Sequence, residues 1–142
     1  MNLLGLIKSR NRCLERILAL TEDYSSLQDT ENLEGLEPFQ TKRAVVFKAI
    51  DLYDRKISEV IVEMPREEKT NLLVDAVKQL VNNREEITQK IFIADDRVIK
   101  KIEAAQGALA KEIQSARRSK DALNKFKSNW ISENGEEVDK VL

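Results

Sequence analysis

From Leu3 to Leu27 the apolar residues recur at helical spacing. One seam reads Leu3, Ile7, Arg10, Leu14, Ile17, Thr21, Tyr24, in alternating steps of four and three, and a second line, Leu6, Cys13, Leu20, Leu27, repeats every seven. Together they form a stripe wider than a two-stranded coiled-coil seam, the width of a helix packed in a bundle. A second helix is predicted from Pro38, tolerated in a first turn, to Met64, which Pro65 pushes out of the α region. Its stripe is Phe39, Val46, Tyr53 and Val60 every seven residues, flanked by Phe47, Ile50, Ile57, Ile61 and Met64. Asp29 is a candidate N-cap in the connection, with Glu31 and Glu34 complementing the helix N-terminus. After Arg66 no proline or glycine intervenes until Gly107, and Leu73, Val77, Leu80, Ile87, Ile91, Ala94 and Val98 hold a 3.6-type period that Ile102, Leu109 and Ile113 extend.

The predicted lengths do not match. As one helix, residues 66–106 would reach about 60 Å, whereas the first two helices reach about 38 Å each. The third helix therefore either projects beyond its partners or breaks, the candidate break being Ala94-Asp95-Asp96, where an aspartate could cap a fourth helix. The predicted fold class is all-α: an antiparallel bundle of three long helices, or four with that break, and a projecting C-terminal helical segment. Residues 1–97 are expected to form the bundle core, 98–131 a helical extension that binds a partner, and 132–142 a flexible acidic tail.

Composition removes most enzymatic chemistry. Among 142 residues there is no histidine, one cysteine, four glycines and two prolines. Histidine relays, His-metal sites and Ser-His-Asp or Cys-His nucleophiles all need an imidazole. A lone Cys13 cannot form an intrachain disulfide, a CxxC pair or a cysteine-rich zinc site. Adjacent acids (Glu67-Glu68, Glu85-Glu86, Asp95-Asp96) point about 100° apart on a helix and do not converge on one ion; they read as solvated positions. No metal, cofactor or catalytic residue is expected. No apolar run approaches the ~20 residues of a membrane span, and the N-terminus lacks a signal-peptide pattern, so a reduced, cytoplasmic protein without membrane insertion is expected.

Charge changes the picture more than its total suggests. The net charge of -1 conceals a basic stretch: residues 97–127 hold nine Lys/Arg against three acids, a charge of +6, while residues 1–96 carry -4 and residues 128–142 carry -3. Arg117-Arg118, Lys120, Lys125 and Lys127 with Phe126 and Trp130 suggest a nucleic-acid footprint. Without a recognisable binding motif, a solvated helix face is the reading adopted. Cys13 reads as a small apolar filler of the core. Arg43 and Asp54, too far apart along their helix to touch, read either as solvent-facing or as paired with another helix.

The candidate site is apolar. Leu123, Phe126 and Trp130 fall at i, i+3, i+7, the layout of anchors on a groove-docking helix, and Ile131 follows them. They either fold back to cap the core or meet a partner. Val98, Ile102, Leu109 and Ile113 lie where the first two helices are expected to leave the third uncovered, and such a stripe is usually an interaction surface. The predicted partner-binding set is Val98, Ile102, Leu109, Ile113, Leu123, Phe126 and Trp130.

Two stretches carry a family resemblance. Leu27-Gln28-Asp29-Thr30-Glu31-Asn32-Leu33-Glu34-Gly35-Leu36, continuing to Arg43, is similar to a leucine, aspartate-x-glutamate-x-x-leucine connection followed by an arginine-containing helix. Ala116-Arg117-Arg118-Ser119-Lys120-Asp121-Ala122-Leu123-Asn124-Lys125-Phe126 resembles an ending of small and basic residues before an aromatic. Both, and the overall layout, resemble the flagellar type III export chaperone family of the FlgN/FliT type. Phe126 stands where that family typically has tyrosine, which puts any role of the hydroxyl in doubt. The resemblance implies a non-enzymatic cytoplasmic chaperone whose C-terminal part binds a helical terminus of a filament-type export substrate, and whose late aromatic contacts an export-gate component. The competing expectations are a structural homodimeric coiled-coil or bundle subunit and a nucleic-acid-associated helical protein; the chain would be a monomer or a homodimer.

Overall fold

The computed structural model describes residues 2–27 and 33–141, with side chains through Trp130. The described chain is all-α: α1 spans Leu3–Ser25, α2 Leu36–Glu63 and α3 Asn71–Val141, with one 3-10 turn at Arg66–Glu68. Asn2 caps α1 by accepting from the Gly5 amide at 2.7 Å. Gly35 begins α2 from a left-handed conformation (φ 83°), a geometry that favours glycine, so α2 starts two residues before the predicted Pro38, which still sits harmlessly in the first turn. Met64 is extended before Pro65, as predicted. α3 opens later than Arg66 because Thr70 caps it: its hydroxyl accepts from the Leu73 amide at 3.2 Å. The Asp29 cap lies outside the described residues.

The helices run up, down, up, and α1 is the central element, its backbone close to both α2 and α3. Three apolar layers stack along it. Leu3, Leu6, Ile7 and Ile57 pack with Tyr53, Val60, Met64, Leu73, Val77 and Leu80 at the end holding the Pro65 turn. Ile17, Ile87 and Ile91 form the middle with Leu14, Leu18, Val46 and Ile50. Tyr24, Phe39 and Val98 close the other end with Leu20, Leu36 and Ile102. There Tyr24 and Phe39 stack at 4.5 Å. These layers join the stripes read from the three helices into one core.

Polar contacts fix the register between layers. Asn11, buried on α1, donates to the Leu80 carbonyl on α3 at 3.0 Å. Lys101 on α3 is buried, donates to the Leu27 carbonyl just past α1, and lies 5.6 Å from the Tyr24 ring centre. Arg43 and Asp54 do not meet each other but each reaches another helix: Arg43 bonds Asp95 on α3 at 2.9 Å, and Asp54 accepts from Arg10 on α1 at 3.0 Å. Of the two readings left open for them, partnership across helices is the one realised.

The length mismatch resolves in favour of projection. α3 is continuous through residues 94–96, and the fourth helix expected from a break there does not form. Ala94 is buried in the bundle, Asp95 is engaged by Arg43, and Asp96 pairs with Lys100 one turn on. An aspartate held by another helix, in a stretch with no proline, has no reason to interrupt the backbone. At 71 residues α3 is about 106 Å long. Residues expected as a flexible tail are helical through Val141.

Candidate functional site

Packing along α3 stops at Ala105. That residue is buried at 4% exposure, Ala108 is the last half-buried position, and from Leu109 through Trp130 every residue is exposed. The bundle thus reaches eight residues past the expected boundary at 97, because α1 ends and α2 begins near the level of Lys101 and Ile102. From Gln106 to Val141 the helix continues for about 54 Å beyond it.

This division splits the predicted site. Val98 and Ile102 are a correction: Val98 is 5% exposed, Ile102 is half-buried, and both belong to the Tyr24–Phe39 layer. They are covered by the chain's own helices and are not a free surface. Leu109, Ile113, Leu123, Phe126 and Trp130 are exposed, the last three at 55%, 67% and 50%. The 123–130 anchors do not fold back to cap the core; they stand on the part of α3 that has left it. Neither outcome for Val98 was legible from spacing alone, because period shows which face is apolar but not where the neighbouring helices end.

The exposed stripe has internal order. Ile102, Leu109, Ala116, Leu123 and Trp130 repeat every seven residues, so the line that enters from the core continues along the projection. Ile113 and Phe126 lie within about 60° of it, at steps of four and three. The basic residues divide into two groups around it. Lys120 and Lys127 lie four positions beyond Ala116 and Leu123 and flank the stripe. Lys111, Arg118 and Lys125 form their own seven-residue line on roughly the opposite face. A ligand on the stripe therefore meets two lysines at its edge, while most of the positive charge faces solvent.

Surface hollows among the described residues of the bundle include two of note. One, of about 340 Å³, lies between α1 and α2 and is lined by Ser9, Arg12, Cys13, Arg16, Val45, Val46, Ala49 and Tyr53. Cys13 is half-buried there, a wall of a groove more than a core filler, and burial raises its thiol pKa above the usual value. The other, about 220 Å³, is an apolar dimple beside the Pro65 turn, lined by Leu3, Ile61, Met64, Leu73, Val74 and Val77 with Lys69 and Lys78. Neither gathers groups for proton transfer or nucleophilic attack. Among the described residues no group of three or more acids or cysteines could hold a metal ion. No helix among them is long and apolar enough to cross a membrane.

Lys101 is the residue that sequence reasoning misplaced. It was counted with the basic surface, yet it sits three residues after Val98 and four before Ala105, on the buried face. That spacing was the available signal. The Arg43 guanidinium is similarly enclosed, 5.2 Å and 5.4 Å from the Phe39 and Phe47 ring centres. No protein-family model, characterised protein or solved structure matches the chain.

Proposed function

We propose that the protein is a non-enzymatic cytoplasmic chaperone or adaptor whose projecting helix binds an apolar helical segment of a secreted flagellar subunit of the hook–filament junction or cap type. It keeps that subunit soluble and delivers it to the export apparatus. The observation that carries this reading is the exposure of Leu109, Ile113, Leu123, Phe126 and Trp130 along a helix that continues after its own bundle has ended. A helix of this length gains little from propensity alone, and in proteins most helical stability comes from covering an apolar face. A cargo helix laid along the stripe would supply that cover and lose its own aggregation-prone face. Lys120 and Lys127 at the edge favour a cargo helix with acidic flanks and speed its encounter. The flagellar identity of the cargo rests on the resemblance at residues 27–43 and 116–126.

The test is co-expression with hook–filament junction or cap subunits, comparing the intact chain with one ending at Gln106. That cut spares every buried layer, which a cut at Arg97 would not. Capture by the intact chain and loss with the shortened one is the expected result. Capture that survives the cut moves the site to the bundle, and capture by neither removes the flagellar assignment.

A further inference from the structure

The face of the α1/α2 pair that α3 leaves open joins an apolar hollow to an unpaired basic rim. We propose that this groove docks an acidic amphipathic helix of a partner protein, at a site separate from the projecting stripe.

The hollow is set by the chain's own periodicity. Asn11, which reaches α3, and Cys13, which lines the hollow, lie two residues apart and so about 160° apart around α1. The hollow is therefore on the face of α1 turned away from α3. Its wall is Ser9 and Cys13 and its floor Val45, Val46, Ala49 and Tyr53, around about 340 Å³. Ser9, Cys13 and Ala49 are short side chains among larger ones, which leaves room for a large apolar side chain of an occupant. Val45, 65% exposed, and Leu52, 51% exposed, extend the apolar strip along α2. Two helices packed at about 8–10 Å leave a groove of the kind that seats a third helix, as α3 is seated on the opposite side.

Charge decides the kind of helix. Arg12 and Arg16 stand on the α1 rim, one turn apart. On α2, Lys42, Ala49 and Lys56 repeat every seven residues, so two lysines continue the line of the floor alanine in both directions. All four cations are exposed, and no salt bridge among the described residues holds them, in contrast to Arg10, which is paired with Asp54. The Arg10–Asp54 and Tyr24–Phe39 contacts set the antiparallel register of α1 and α2, and by it the four spread along roughly 20 Å of groove. The first acids on these lines are Asp23, seven residues after Arg16, and Glu59 and Glu63, seven after Leu52 and Lys56; they stand at the two ends. Four positive charges thus edge the groove of a bundle whose residues 1–96 carry -4 in all. Arg12 and Arg16, at i, i+4, repel each other in the free chain, and carboxylates in the groove relieve that repulsion. An occupant about four turns long, with leucine-like residues on one face and Glu or Asp at both edges, matches the strip and the rim together. A lipid surface matches the charge but not the concave floor.

The groove lies on other helices than the stripe, so this proposal and the cargo reading can each fail alone. The test uses the full chain carrying Leu109→Asp and Leu123→Asp, which removes capture by the stripe. The probe is a display library of helical peptides with leucines fixed on one face and the flanking positions varied among Glu, Lys and Gln. Selected peptides should carry Glu at the flanks and, when bound, slow maleimide labelling of Cys13. Adding Arg12→Glu with Arg16→Glu, both on exposed positions, should weaken them by about tenfold and shift the selection toward Lys. No enrichment over a chain-free control, enrichment without an acidic bias, or equal affinity for the charge-reversed chain overturns the proposal. Binding that leaves Cys13 labelling unchanged places the peptide elsewhere and also overturns it. Two other occupants are read with the same charge-reversed chain. Retention on phosphatidylglycerol-containing vesicles that it abolishes gives the groove to a membrane surface. A two-chain mass in sedimentation that it abolishes gives the groove to a second copy. Either result overturns the assignment to a partner helix.

Discussion

α3 is two helices in one. Up to Ala105 it is the third wall of a bundle, with Ile87, Ile91 and Val98 pressed against α1 and α2, Asp95 held by the Arg43 guanidinium and Lys101 by the Leu27 carbonyl. Beyond Ala105 the same backbone and the same apolar period continue, and from Leu109 to Trp130 the side chains are exposed. A seven-residue line of Ile102, Leu109, Ala116, Leu123 and Trp130 passes through that boundary unchanged. Periodicity therefore specifies that a helix has a face to bury. Whether the face belongs to the core or to a partner is decided by the lengths of the neighbouring helices.

The largest expected contrast comes from removing apolar volume on either side of the boundary. Ile17 is fully buried, so Ile17→Ala should cost about 2–5 kcal/mol of unfolding free energy. Leu123→Ala, measured by urea unfolding at a concentration where the chain is monomeric, should change the bundle transition by less than about 0.5 kcal/mol. Comparable losses from both would mean that the projection is packed in the folded monomer.

A polar change inside the bundle should come next. Arg43→Ala leaves the partly enclosed Asp95 carboxylate without its guanidinium and strips the Phe39 and Phe47 faces of their cation. A loss of about 1–3 kcal/mol is expected in thermal or urea unfolding. Replacing Lys100, whose bond to Asp96 is exposed on both sides, should cost well under 1 kcal/mol. If the two cost the same, Asp95 is not a register-fixing contact.

Smaller effects sharpen the boundary itself. Gly107→Ala meets no neighbour and should stabilise the local helix by about 0.5–1 kcal/mol, seen as slower amide exchange around residues 104–110 with the bundle midpoint unmoved. Burial raises the Cys13 thiol pKa, so at a given pH near or below its ordinary value less thiolate is present than in the unfolded chain. Maleimide labelling of native Cys13 should accordingly be slower than in urea, and the difference should shrink as pH rises past the raised value. Equal rates would place Cys13 in open solvent.

Much of this architecture was legible in the sequence. The three helices, the stop at Pro65 and the excess length of the third all follow from period, proline geometry and rise per residue. The cap at Thr70 and the left-handed Gly35 are local chemistry that the stronger proline signals masked. The division of the candidate site was not legible. Val98 and Leu109 have the same kind of spacing, and only the level at which Leu27 and Phe39 sit tells them apart. Sequence leaves a break at Ala94-Asp95-Asp96 open beside projection because an aspartate could cap a fourth helix there, whereas the role of Asp95 depends on Arg43, 52 residues away in the chain.

Trp130 offers the most direct test of the central claim, that the helix past Ala105 is a partner-binding surface while the bundle folds by itself. It is the only tryptophan, half-exposed and on the stripe. Its emission should be followed at dilutions where the chain is monomeric, as a purified hook–filament junction or cap subunit is titrated in. A saturable shift to the blue, abolished by Leu109→Asp without change in the bundle's unfolding midpoint, is the predicted result. Subunit binding with Trp130 emission unchanged, and unaffected by Leu109→Asp, would contradict it.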